Sequence, residues 1–125
     1  MLSEQINVDS EVIDSSALGR LLDVIGGDVN DLVELIEEFE STTPMIMEKM
    51  LTGVETQDWE SLRIQAHSLK SNARDFGAKK LAALCATLEM QCGDGNVVEP
   101  ATQVSNIQSE LQVARSALST VVDQV

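Results

Sequence analysis

The stretch DWESLRIQAHSLKSNARDFGAKKLAALCATLEMQ, residues 58–91, governs how the chain is read. Apolar residues return every three or four positions along it, and Gly77 interrupts the run near its middle. That pattern predicts two helices joined by a tight turn. In the first, residues 58–75, Asp58 is placed to cap the N-terminus. At 100° per residue Leu62, Ala66, Leu69, Ala73 and Phe76 fall within about 40° of one line, which defines a buried stripe. In the second, residues 78–91, Leu81, Leu84, Cys85 and Leu88 form the stripe.

The same periodicity continues on both sides. Upstream, residues 16–25 present Leu18, Leu21, Leu22 and Ile25, and Gly26 is a plausible stop. Asp28 is a good cap for a second helix carrying Leu32, Leu35, Ile36, Phe39, Ile46, Met47, Met50 and Leu51. Pro44 falls inside it, which predicts either a break or a kink, and the continuous apolar stripe favours one kinked helix. Glu34, Glu37, Glu38 and Glu40 read as its solvated side. After the turn at Gly93–Asn96, residues 99–122 carry Val104, Ile107, Leu111, Ala114 and Leu118, with Pro100 near the start. The fold class is therefore all-α: an antiparallel four-helix bundle with a short additional N-terminal helix. Residues 14–125 form that domain, and residues 1–13 are expected to be an acidic segment, poorly ordered or lightly packed.

Composition agrees. The chain has 125 residues, enough for one domain with a modest core, and 43% of them are apolar. Aromatics are limited to Phe39, Phe76 and Trp59, so Leu, Val, Ile, Ala and Met must fill the interior. The 21 Asp and Glu against 8 Lys and Arg give a formal charge of −13, which repels nucleic-acid phosphates and anionic membranes. The acidic opening MLSEQINVDSEVID lacks the basic and apolar regions of a signal peptide, so a cytoplasmic setting is expected. Cys85 and Cys92 on one helix would stand about 10.5 Å apart along its axis, too far for a mutual disulfide, and read as reduced core residues. One histidine and no CxxC give poor support for a metal site.

That histidine, His67, lies about 140° from the centre of its helix's buried stripe and so faces outward. Arg63, Lys70, Ser71 and Arg74 share its face by spacing, and Glu60 is the nearest acid on that side of the helix. Three of the eight cations thus flank an exposed imidazole, a group that is partly a neutral nucleophile near pH 7. A phosphoryl group suits such a strip, because its oxygens carry the charge that Lys and Arg neutralise. Ser71 is small and leaves the ring approachable. A plain solvated basic face is the competing interpretation. No Ser or Cys is visibly paired with a base, which disfavours hydrolase chemistry.

The run His67-Ser68-Leu69-Lys70-Ser71-Asn72-Ala73, followed by Gly77-Ala78, Leu81, Cys85, Leu88 and Glu89, resembles the signature of histidine-containing phosphotransfer (HPt) domains. Phe39, Thr43-Pro44, Met50-Leu51 and Asp58 extend the likeness upstream. Two positions depart: Ser71 stands where the family has Gly, and Asn72 where it has Ser. The resemblance implies a bundle whose exposed histidine takes a phosphoryl group from an aspartyl phosphate on a response-regulator receiver domain and passes it to another receiver. His67 would be modified on Nε2, and Lys70, with Arg74 and Arg63 in support, would neutralise the phosphoryl oxygens. Ser71 and Gly77 would keep the site accessible, Gly77 by letting the hairpin turn tightly. Ile64, with Leu18 or Leu22, would offer an apolar docking patch.

The implied partners are receivers of a hybrid sensor kinase and of a downstream regulator, and the receiver would supply Mg²⁺. The chain itself would bind no cofactor and act as a monomer. It shows no nucleotide-binding signature, so neither ATP binding nor self-phosphorylation is expected. A non-catalytic adaptor that binds receivers or kinases is the alternative.

Overall fold

The computed structural model describes residues 8–125, and five helices account for most of them. They are α1 (Ser15–Val24), α2 (Val29–Thr56), α3 (Trp59–Asp75), α4 (Lys79–Asp94) and α5 (Pro100–Asp123). The described residues contain no strand.

Aspartates open the first three helices. Asp14, Asp28 and Asp58 accept hydrogen bonds from the backbone N–H of Ser16, Asn30 and Ser61, each satisfying an otherwise unpaired donor of the first turn. Pro100 starts α5, where its missing N–H costs nothing.

α2 runs through Pro44 without a break. Proline removes the donor that the Glu40 carbonyl would meet four residues on. Arg115 of α5 supplies a replacement: its Nη2 donates to the Glu40 oxygen at 3.0 Å. Glu40 is accordingly half-buried, unlike the exposed Glu34, Glu37 and Glu38. The sequence groups it with those acids because a helical wheel does not show a neighbouring helix reaching over.

Short connections place α2, α3, α4 and α5 side by side in a closed square, with α2 against α5 completing the ring. The predicted stripes meet at its centre. Leu62, Ala66, Leu69 and Ala73 of α3 face Leu81, Cys85 and Leu88 of α4, Ile36 and Met50 of α2, and Val104, Ile107 and Leu118 of α5. Phe39 and Phe76 stack at a tilt of 54° with ring centroids 5.1 Å apart. Fully burying each large apolar side chain contributes about 1.5–3 kcal/mol, so these stripes hold the bundle together.

Of the expected N-terminal segment, residues 1–7 lie outside the described residues. Ile13 is fully buried, and Val8 and Val12 pack against the core. The Asp14 N–H bonds the Gly77 carbonyl at 2.9 Å, so the chain is tied to the bundle from just before α1.

Candidate functional site

α3 projects His67 outward, as its stripe requires. Leu62, Ala66, Leu69 and Ala73 are completely buried, whereas the imidazole keeps 59% of its surface. The ring is nonetheless not alone. Glu89, on the adjacent helix α4, sets Oε2 2.9 Å from His67 Nδ1. The same carboxylate takes the Lys70 ammonium, with Nζ 2.5 Å from Oε1 and 3.2 Å from Oε2. One acid therefore bridges the histidine and the lysine one turn along.

The charge state follows from these contacts. The Lys70 hydrogen bond, aided by that of His67, holds the Glu89 carboxyl below the usual carboxylate range against the opposing effect of burial. An ionised carboxylate can only accept, so Nδ1 carries the proton and the lone pair sits on Nε2. Among the described residues nothing hydrogen-bonds Nε2. The outward nitrogen is thus the free nucleophilic one.

Glu89 is the neighbour of the ring that reading along α3 misses. Glu60 is the nearest acid on that helix, but α4 brings Glu89 directly onto the ring. The signal was present in the Leu88-Glu89 pair that closes the family signature, yet its partnership with His67 needs the packing of two helices.

The predicted cations behave differently from one another. Lys70 is only 17% exposed, its stem covered and its ammonium clamped by Glu89, so it is not a free member of a basic strip. Arg63 is forked onto Glu60, with Nε 3.0 Å and Nη2 2.6 Å from the two carboxylate oxygens. That bidentate pair raises the arginine's pKa and lowers that of the acid. Arg74 is exposed and lines a cleft of about 330 Å³ with Asp14, Ala17, Arg20, Gly77 and Lys79. It points into the α1 side of the hairpin rather than joining the Glu89 cluster.

Ser71 is exposed one turn after His67, as expected. Gly77 is buried at the α3–α4 turn with φ of +78°, a backbone conformation that side chains disfavour. A Cβ there would stand 2.7 Å from the Asp14 carbonyl. Its place is the turn and the contact with Asp14, and it does not border the imidazole.

Ile64 is 47% exposed on the histidine's side of α3. Leu18 and Leu22 require correction as docking residues: they are 0% and 7% exposed. α1 is short and lies against α2 and α3, so its strongest apolar stripe turns inward to seal the end of the bundle. Leu21 is the α1 leucine that remains half-exposed. With Leu35, Phe39, Ile46, Asn72 and Phe76 it lines a groove of about 430 Å³ between α1, α2 and α3.

Cys85 and Cys92 are buried free thiols. Burial pushes Cys85 up to about 12 and Cys92 upward as well, so both are unreactive at neutral pH. Among the described residues no group of three His, Cys, Asp or Glu side chains converges as a metal site. No described helix is long and apolar enough to cross a membrane.

Comparison with known proteins follows the same direction. The Hpt domain family matches residues 34–117, which spans α2 to α5. A search of curated proteins returns no match. Among solved structures, the chain resembles histidine-containing phosphotransfer protein B from Pseudomonas aeruginosa PAO1, with a TM-score of 0.85 and 20% identity over 94% of this chain and 99% of the other. It also resembles the HPT domain of the Hpt sensor hybrid histidine kinase from Shewanella, with a TM-score of 0.75 and 19% identity over 94% and 98% of the two chains. At these identities the structural likeness establishes the shared bundle.

Proposed function

This chain belongs to the Hpt domain family, whose members are phosphocarrier modules of two-component signalling, and from that premise we propose that it carries a phosphoryl group on Nε2 of His67. The group arrives from an aspartyl phosphate of one receiver domain and leaves for an aspartate of another. In acceptance the Nε2 lone pair attacks phosphorus, the P–O bond to the aspartate breaks, and the carboxylate departs with the bonding pair. Onward transfer reverses these steps on a second carboxylate.

The observation that carries this reading is the division of labour on the ring. Nδ1 is occupied by Glu89 at 2.9 Å, which leaves an exposed Nε2 with its lone pair directed at solvent. Lys70, one turn on, is within the same cluster and neutralises charge that gathers on the phosphoryl oxygens. Arg63 and Arg74 support it at longer range, Arg63 after release from Glu60. Ser71 keeps the approach to the ring low, and Ile64 offers an apolar contact beside it. By family resemblance the receiver would bring Mg²⁺ to assist charge neutralisation; the residues of this chain would provide the nucleophile and the ammonium. The partners are receivers of a hybrid sensor kinase and a downstream regulator, met by a monomer in the cytoplasm.

Incubation with a phosphorylated receiver tests the proposal. Acid-labile, alkali-stable label should appear on the wild-type chain and be absent from His67→Gln. Label that persists in that variant overturns the assignment to His67, and no label from a panel of cognate receivers would indicate an adaptor instead.

A further inference from the structure

Glu89 does more than orient a ring, because its single negative charge is shared between the two groups that a bound phosphoryl group would engage. Its Oε2 meets His67 Nδ1 at 2.9 Å, and Lys70 Nζ lies within hydrogen-bond distance of both its oxygens. The carboxylate is only 16% exposed, so water screens these contacts poorly. The charged groups around the ring are Glu89 from α4 and Lys70 from α3, with Arg63 one turn back engaged by Glu60.

We propose that Glu89 keeps the phosphoryl group on His67 short-lived and ready to transfer, by retaining the Nδ1 proton and by competing with the phosphoryl oxygens for Lys70. The inference rests on the reading of His67 as the phosphoryl carrier. Three effects act in one direction. When a receiver carboxylate or water attacks phosphorus, the P–Nε2 bond breaks and its electron pair returns to Nε2. With a proton held on Nδ1 the ring departs as neutral imidazole; without it the ring would depart as imidazolate, a far poorer leaving group. The ionised carboxylate favours that proton. Lys70, drawn toward Glu89, is a weaker counter-ion for the phosphoryl group, and the two anionic groups repel one another across it. Glu89 is therefore a positioning residue that acts through His67 and Lys70.

Phosphoramidate provides a donor that needs no receiver: Nε2 attacks its phosphorus, the P–N bond of the reagent breaks, and ammonia leaves. After removal of the reagent, loss of label from wild-type chain and from Glu89→Gln is followed at neutral pH. The glutamine retains a hydrogen-bond acceptor but not the charge. Exchanging a charge-assisted bond for a neutral one should lengthen the phosphohistidine lifetime about fivefold.

Lys70→Met should shorten that lifetime, since the phosphoryl group then loses its cation. A Glu89–Lys70 pair that served only to hold the helices would move both variants in the same direction. Independently of any variant, imidazole ¹⁵N spectra of the unphosphorylated wild type at about pH 8 should show His67 with its proton on Nδ1.

Equal lifetimes for wild type and Glu89→Gln, or a proton found on Nε2, overturn the inference while leaving the carrier function standing. Wild-type chain that takes no label, or label that survives His67→Gln, overturns the carrier reading, and this inference falls with it.

Discussion

Arg115 on α5 donates from Nη2 to the backbone carbonyl of Glu40 on α2 at 3.0 Å. The acceptor is available because Pro44, four residues on, has no N–H to offer it. A side chain from one helix thus completes the backbone hydrogen bonding of another, and joins the first and last long helices of the bundle.

Arg115→Met should therefore lower stability by about 1 kcal/mol, the cost of losing the hydrogen bond to a part-buried carbonyl. Pro44→Ala restores the missing N–H and should remove most of that penalty. Chemical denaturation of the two single variants and the double variant would measure the coupling. Strict additivity would show that the Arg115 contact and the proline are unrelated.

Lys70→Ala should slow uptake of the phosphoryl group by His67 while the bundle stays folded. Sequence reasoning treats Lys70 as a solvated surface residue, for which a substitution costs within about 0.5 kcal/mol. Its mostly covered side chain and its bond to Glu89 raise the expectation to about 1 kcal/mol. Paired thermal melts and transfer assays separate the two effects. Normal transfer with a large loss of stability would make Lys70 a structural residue.

Asp14 gives the fold a defined response to acid. Hydrogen bonds from the Ser16 side chain and then from Lys79 lower its carboxyl from the ordinary 3.8 to about 2. A depressed folded-state pKa contributes stability that is present above the unfolded value and is lost as pH falls through the folded one. Wild-type chain should thus lose this contribution between about pH 4 and pH 2. Asp14→Ala, deprived of the cap, should be about 1 kcal/mol less stable at neutral pH and should lack this part of the acid response. Denaturant midpoints at several pH values would show it, and parallel curves for the two proteins would refute the role of the carboxylate.

Gly77 and Gly95 both have positive φ, at +78° and +73°, but their surroundings differ. An added Cβ at Gly95 meets open space, whereas at Gly77 it strikes the Asp14 backbone and Ala17. Gly95→Ala should cost only the conformational term of about 1–2 kcal/mol. Gly77→Ala should cost distinctly more, because the N-terminal segment must also shift. Equal melting temperatures for the two variants would contradict the close packing at the turn.

The helices were readable from the sequence because each rests on local information. The 3.6-residue stripe of Leu62, Ala66, Leu69 and Ala73 gives α3 and its buried face, and Asp28 and Asp58 mark where α2 and α3 begin. The outward direction of His67 follows from the same arithmetic. What could not be read were contacts between helices. Nothing local tells that Glu89 will sit on the imidazole or that Arg115 will reach Glu40. Leu18 and Leu22 illustrate the opposite error: an amphipathic stripe shows which residues share a face, while whether that face meets solvent depends on where a short helix is laid down.

Because the imidazole and its carboxylate partner come from opposite arms of one hairpin, the chemistry depends on the phase between those arms. An insertion of one residue near Gly77 would rotate everything after it by about 100° relative to α3, leaving the nucleophile in place and turning its acid elsewhere. Grafting α3 alone onto another scaffold would likewise transplant a histidine without its companion. The smallest portable unit of this site is the hairpin, turn included.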